Sequence, residues 1–341
     1  YNIPGTSLPD GPAGVRITAL PGGTAPDGRP LTRYATQFPN ASARAATWNT
    51  ELTKQVGEGI GNELYYFGAD LLLAPAMNIH RHPLNGRNFE YYSEDPLLSG
   101  KIAASEVQGI QSKGVGATIK HFAANNQEAG RSNLPTNISQ RALREIYLRG
   151  FEIAVKEGKP WAIMTAYNQI NGVSPAQNPE LLQTITREEW GFDGIFMTDW
   201  GGQGNRSYWP AQNGNNAHSS MVKAGLDLSM PSGNANNVIA GYNAGFITMD
   251  DIDAAVTRVL KYILKTPAFK GVGESTDHNI HAEENEEIAY KTAVESMIIL
   301  DNKAVDGKPA LPIKGDTVLT IGNATNNMVR GGAGSGNVNV D

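Results

Sequence analysis

The chain contains no cysteine. That excludes a disulfide framework, a zinc ribbon, an iron–sulfur cluster and a thiol nucleophile. It has no run of about 18 apolar residues, so no membrane partner is expected. It also has no excess of positive charge. Its 28 basic residues stand against 34 acidic ones, a net charge of −6, and no long basic block occurs, which argues against nucleic acid as a partner. The longest acidic run, 283–287 (EENEE), reads as a solvated helix face. Phosphate-loop, Ser-His-Asp and H-E-x-x-H patterns are missing. No leader pattern is seen. The first residue is Tyr1 and the last, Asp341, closes a glycine-rich run, so both ends read as cut and a fragment of a longer product is expected.

What is present is 341 residues with 38 glycines and 19 prolines, enough for one α/β barrel of roughly 250 residues plus a remainder. Short apolar runs bounded by turn residues read as buried strands: 69–75 (ADLLLAP), 116–122 (GATIKHF), 161–167 (WAIMTAY), 194–200 (GIFMTDW) and 226–231 (LDLSMP). Helical patterns lie between them, at about 43–66, 97–113, 139–157, 178–189 and 215–224, with Asn137-Ile138-Ser139 as a start signal. Buried strands alternating with helices argue for a parallel sheet with crossover helices. Polar residues stand where the apolar runs stop, as they do at the mouth of a (β/α)8 barrel; a doubly wound sheet would place them similarly. A long helix at about 248–265 follows. The expected organisation is a TIM-like barrel over 1–266, a turn-rich linker over 267–282, and over 283–341 a helix and a strand candidate at 316–321 that open an incomplete α/β sandwich domain.

Several of these polar residues carry chemistry. Asp199 closes a strand and precedes Trp200 and two glycines; its carboxylate could serve as nucleophile, base or metal ligand, or merely cap a helix, while Trp200 offers a flat face for a sugar ring. Lys120 and His121 could hold hydroxyls or orient a carboxylate, or be a surface lysine and a satisfied core histidine. The loop Asn125, Asn126, Gln127, Glu128, Arg131 suits a polyhydroxylated ligand. Arg87, between Gly86 and Asn88-Phe89, suggests a forked donor in a pocket, or an Arg–Glu surface pair; Glu94-Asp95-Pro96 reads as a helix start. His80 and His82, with His121, His218 and Asp199, leave open a zinc-dependent barrel hydrolase. The run 331–336 (GGAGSG) only mimics a dinucleotide loop, with neither the helix nor the acidic residue such a site needs; it reads as a flexible loop or one bringing Ser335 to a ligand. No cofactor is expected.

The ordered blocks 8–16 (LPDGPAGVR), 83–96 (PLNGRNFEYYSEDP), 120–128 (KHFAANNQE), 164–178 (MTAYNQINGVSPAQN), 191–202 (GFDGIFMTDWGG), 224–231 (AGLDLSMP) and 331–341 (GGAGSGNVNVD) together resemble glycoside hydrolase family 3, its β-glucosidase branch. The resemblance covers nearly the whole chain. It implies a retaining β-glucosidase with Asp199 as nucleophile. It implies that Asp10, Arg87, Lys120, His121 and Arg131 bind hydroxyls, that Tyr167 sits near the nucleophile, that Met164 and Trp200 form apolar walls, and that Ser335 reaches in from the second domain. The substrate partner would be a β-glucoside or oligosaccharide. The loop KHFAANNQE departs from the K-H-F-P-G-H-G loop of the family's N-acetylglucosaminidases, which disfavours that branch. Ser229 stands where the family commonly has glutamate. None of Glu90, Glu94, Glu128 or Glu145 matches the family's acid/base residue, so that glutamate is expected on a C-terminal segment of the same gene product. The other reading left open is a non-catalytic sugar-binding homologue.

Overall fold

The computed structural model describes residues 2–17, 34–274, 282–304, 307–309, 311–314, 317–325, 332 and 334–338. The wall of the fold is a parallel sheet of four strands in the order β1 (Leu71–Leu72), β2 (Gly116–Phe122), β4 (Ala162–Thr165) and β6 (Ile195–Thr198). Parallel bridges Asp10↔Leu73 and Met197↔Leu228 extend it by one chain segment at each edge. A separate two-stranded ribbon, β3 (Pro135–Thr136) with β5 (Gln169–Ile170), lies beyond β2 and β4. This is a TIM-barrel type fold. Among the described residues its wall is built from four regular strands and two bridged segments instead of eight regular strands.

The period-2 alternation of the strands makes two cores. Leu72, Ala117, Ile119, Ile163 and Phe196 face outward into the cluster that packs the helices. Leu71, Leu73, Ala162, Met164, Ile195 and Met197 face inward, joined by Leu8, Leu228 and, from the last barrel helix, Val259, Tyr262 and Ile263. The inner core is thus a filled interior of the kind a barrel of this type has.

The helices start where side chains can accept from their first N–H groups. Asn40 caps α1 (Ala41–Ala46) and Asn49 caps α2 (Thr50–Tyr66). Asp95, with Pro96 behind it, starts α3 (Pro96–Gln111), as expected from the sequence. Ser139 starts a composite helix in which α4 (Gln140–Ala142) and α5 (Arg149–Ile153) alternate with π-type turns Leu143–Tyr147 and Ala154–Gly158. A π-type helix Glu180–Glu189, then α6 (Ala217–Ala224), α7 (Ala235–Asn243) and α8 (Met249–Ile263) complete the ring. Helices α2 and α3 cross on glycine: a Cβ on Gly57 would lie 2.4 Å from the Glu106 carbonyl oxygen, and one on Gly109 would lie 2.1 Å from that of Lys54.

Two expectations change. The run 226–231 forms no regular strand. Leu228 bonds to β6, but Asp227 turns its carboxylate onto Arg187 at 2.8 Å, Arg258 at 2.6 Å and the Phe196 N–H at 2.7 Å. The Met230 N–H in turn goes to the Thr198 hydroxyl at 2.8 Å. Side chains have taken the ladder's partners. The strand expected at 316–321 is not seen over its described residues 317–321, which lie exposed outside any sheet; Asp316 falls outside the described residues. A lone segment without a partner strand has no ladder to join. The helix expected after the linker is present as α9 (Ala282–Glu295), and it packs on α1 and α2. Its Asn285 amide reaches Glu63 on α2 at 3.0 Å and the Thr36 hydroxyl at 3.2 Å.

Candidate active site

The three inward columns end in charge. Above Leu8 comes Asp10, above Thr118 comes Lys120, and above Met197 comes Asp199. Because the strands are parallel, these residues meet at one end of the barrel, where the strand C-termini lie. Lys120 and His121 are neighbours in sequence and would point to opposite faces of a regular strand. The pairing of β2 with β4 shifts register between Ile119 and Phe122, and such an irregularity re-aims a side chain. Both residues therefore reach the mouth.

Lys120 is 2 % exposed and donates to Asp10 Oδ1 at 2.9 Å; Arg16 lies 3.8 Å from the other oxygen of Asp10. His121 is gripped by Asn78, whose amide accepts from its N–H and donates to its C=O, both at 2.9 Å. On the ring, Nε2 lies 2.9 Å from an Arg87 amino nitrogen and 3.7 Å from Asp199 Oδ2, and Nδ1 lies 3.2 Å from the Tyr91 hydroxyl. Asp199 Oδ1 accepts from the Trp200 N–H at 2.7 Å. Arg87 is tied to Glu90 within the turn that follows it. That is the Arg–Glu pair the sequence allowed, but it is held inside the site. Arg131 sits 4.5 Å over the Tyr167 ring and donates to Glu128 at 2.7 Å. Tyr167 donates to the Trp200 carbonyl at 2.7 Å. Met164 is buried below in the inner core, and Trp200 leaves its indole half exposed.

The electrostatics follow from burial among cations. Desolvation pushes His121 well below the usual imidazole range, and Arg87, Lys120 and Arg131 push it further. The ring is therefore neutral, and its closeness to Asp199 is not an ion pair. Burial raises the Tyr167 phenol, and the Asp199 carboxylate beside it raises it more. It remains a donor at any ordinary pH. Asp199 thus has the Trp200 N–H on one oxygen, a neutral His121 3.7 Å from the other, and Tyr167 beside it.

Of the residues singled out in the sequence, Asp10 and Lys120 form one pair. Arg87, His121 and Asp199 form a second group, and Arg131, Tyr167 and Trp200 a third. The Ser335 side chain lies outside the described residues. The backbone turn that carries it, Gly334–Gly336, closes on the Arg87 loop: a Cβ on Gly336 would meet the Phe89 ring at 2.6 Å. Val338 beyond it is buried in the outer core. The zinc alternative is corrected. His80 Nε2 is 2.9 Å from both the Asn88 and Tyr91 carbonyl oxygens, so it pins that loop, and His82 Nδ1 accepts from the Leu84 N–H at 3.1 Å. Among the described residues, no three His, Asp or Glu side chains are grouped to hold a metal ion. Tyr91, Asn78 and Arg16 belong to the site but do not stand out in the sequence. The run Phe89-Glu90-Tyr91-Tyr92 beside Arg87 was the one available signal.

Residues 25–262 match the model of the glycosyl hydrolase family 3 N terminal domain. The chain is 38 % identical to β-glucosidase B of Emericella nidulans, over 99 % of this chain and 38 % of that protein. It is 40 % identical to an exo-α-(1→6)-L-arabinopyranosidase of Bifidobacterium longum, over 88 % of this chain and 38 % of that one. The chain thus spans about two fifths of the length of these relatives. Among solved structures it resembles β-glucosidase 3B from Thermotoga neapolitana in complex with glucose, with a TM-score of 0.85 and 42 % identity, over 98 % of this chain and 45 % of that one.

Proposed function

The chain belongs to glycosyl hydrolase family 3, and on that premise we propose that it is the barrel part of a retaining β-glycosidase that releases terminal β-D-glucose. The observation that carries this reading is Asp199 at the end of β6, with His121 3.7 Å from one carboxylate oxygen and Arg87 bonded to the same imidazole. A retaining glycosidase needs a carboxylate under the anomeric carbon and a proton donor about 5–5.5 Å away. Asp199 attacks that carbon, the glycosidic C–O bond breaks, and the leaving oxygen takes a proton from the acid. Water, deprotonated by the same group, then cleaves the glycosyl–Asp199 ester. Asp10, Lys120, Arg87, His121 and Arg131 hold the sugar hydroxyls, Met164 and Trp200 line its apolar faces, and Ser335 approaches on the turn seated against Phe89.

The acid is a glutamate carried on a further segment of the same gene product, following the unit that 283–341 begins. Glu90 and Glu128 sit in the loops of the site, but each is tied to an arginine. A pentopyranoside is the second substrate class, favoured by the arabinopyranosidase among the relatives.

The test uses the full gene product with aryl β-glucosides and aryl arabinopyranosides. Asp199→Asn is expected to abolish turnover with the circular dichroism spectrum unchanged, and a slow 2-fluoroglucoside should leave a covalent adduct on the Asp199 peptide by mass spectrometry. Near-wild-type activity in Asp199→Asn overturns the assignment. Binding of glucose without turnover by the wild-type protein would favour a sugar-binding homologue.

A further inference from the structure

Two peptide groups flank the His121 Cα, and both are tied to one side chain. The His121 N–H belongs to the peptide before that Cα and donates to Asn78 Oδ1 at 2.9 Å. The His121 C=O belongs to the peptide after it and accepts from Asn78 Nδ2 at 2.9 Å. A donor on one side and an acceptor on the other settle which way the Asn78 amide points. Peptides are planar, so fixing the two beside a Cα fixes its φ and ψ, and with them the direction of its Cα–Cβ bond. The backbone ladder does not do this for His121. Successive residues of a regular strand turn their backbone groups to alternate neighbours. Thr118 and Lys120 face the β1 side, where their N–H groups donate to the Ala74 carbonyl at 2.9 Å and the Pro75 carbonyl at 3.0 Å. The Lys120 C=O also accepts from the Met77 N–H at 2.7 Å. His121 would be next to face β4, but the register shifts between Ile119 and Phe122. Phe122 takes the β4 side instead, its C=O accepting from the Ala166 N–H at 2.7 Å. Asn78 and His121 are both buried, so bulk water cannot serve in place of the amide.

We infer that Asn78 is the positioning residue for His121: its amide stands in for the missing rung of the ladder and aims the imidazole at Arg87 and Asp199. The ring lies 2.9 Å from Arg87 and 3.7 Å from Asp199 Oδ2, and those distances depend on the direction in which the Cα–Cβ bond leaves the backbone. Lys120, one residue earlier, keeps its own bonds to Pro75 and Met77 whether or not Asn78 is present. The effect of Asn78 on the site therefore runs through His121. Its consequence for turnover rests on the reading of Asp199 as nucleophile and of His121 as a group that holds the sugar beside it.

The test is a cycle of paired substitutions in the full gene product, assayed on an aryl β-glucoside. Asn78→Leu, which keeps the size and removes both bonds, should lower kcat/KM about 10- to 100-fold, the size of one to two buried hydrogen bonds. In a His121→Ala background the same change should cost less than about threefold, because its target is gone. In a Lys120→Met background it should keep its full factor. If Asn78→Leu does not fold, Asn78→Ala takes its place with the same pattern expected, since its smaller side chain leaves room for water beside the freed groups. A residue that only stabilised the fold would give one common factor in all three backgrounds. That result overturns the inference, and so does a wild-type kcat/KM in the Asn78 variant. A crystal structure of the variant gives a readout independent of turnover: the His121 ring should leave hydrogen-bond reach of Arg87, and an unmoved ring overturns the inference. If the ring moves while the wild-type protein turns over no glycoside, the positioning role of Asn78 stands and the glycosidase reading fails.

Discussion

Asp10 and Lys120 show how unequal the two halves of one ion pair can be. Lys120 is buried while Asp10 is about a quarter exposed and has Arg16 nearby. Removing the acid strands an ammonium group inside the barrel, whereas removing the lysine leaves a carboxylate that water and Arg16 can still serve. Asp10→Ala is therefore expected to cost about 2–3 kcal/mol in urea unfolding, and Lys120→Met less than about half of that. Equal losses would show that the pair is not the asymmetric one described. The residues at the strand ends were legible in the sequence because charge interrupts an apolar run only where a strand leaves the core. Tyr91 and Asn78 were not legible. Their roles depend on a ring and a backbone brought to them by β2, and an aromatic in a mixed loop looks the same whether it packs or meets a histidine.

At the scale of elements, the helical patterns between the strands placed most helices to within a few residues, and at Asp95 and Ser139 a capping side chain announced the start. The misses have physical causes. The two-residue strands β3 and β5 are too short to show a period. Helix α7 carries three asparagines in nine positions, which dilutes its pattern. In 226–231 the apolar alternation was real, but Asp227 and Thr198 replaced backbone partners with side chains. The crossing of α2 on α3 depends on a different signal, glycines on both facing surfaces. Gly109→Ala would put a methyl group 2.1 Å from the Lys54 carbonyl oxygen. Pushing the helices apart should cost about 1–3 kcal/mol, even though alanine is the better helix former. A thermal melt of Gly109→Ala that matches or exceeds wild type would refute the close crossing.

At the scale of the whole molecule, α9 ties the end of the barrel sequence back to Thr36 and to α2, and that joint carries a titratable group. Burial lifts Glu63 from 4.5 to about 7, against the lowering effect of its hydrogen bonds from Thr36 and Asn285. A folded value above the ordinary one means that the folded state holds the proton more tightly. This stabilisation is full below pH 4.5 and is lost as the pH rises through about 7. The wild-type melting temperature should then fall between pH 5 and 8.5, by an amount on the order of 3 kcal/mol in stability. Glu63→Gln should flatten that slope, meet wild type near pH 5 and exceed it at pH 8.5. Parallel slopes for the two proteins would rule this out. Nothing in the sequence signalled the joint: 283–287 read as a solvated helix face, and the asparagine in the middle of that run of glutamates is buried.

The same joint bears on the order of events in folding. The Asn285–Glu63 bond spans 222 residues and the Asn285–Thr36 bond 249. Closing so long a loop costs little more at equilibrium than closing one half as long, but the two ends meet rapidly only after the intervening strands and helices have collapsed. The docking of α9 is therefore expected to follow the collapse of the barrel instead of leading it.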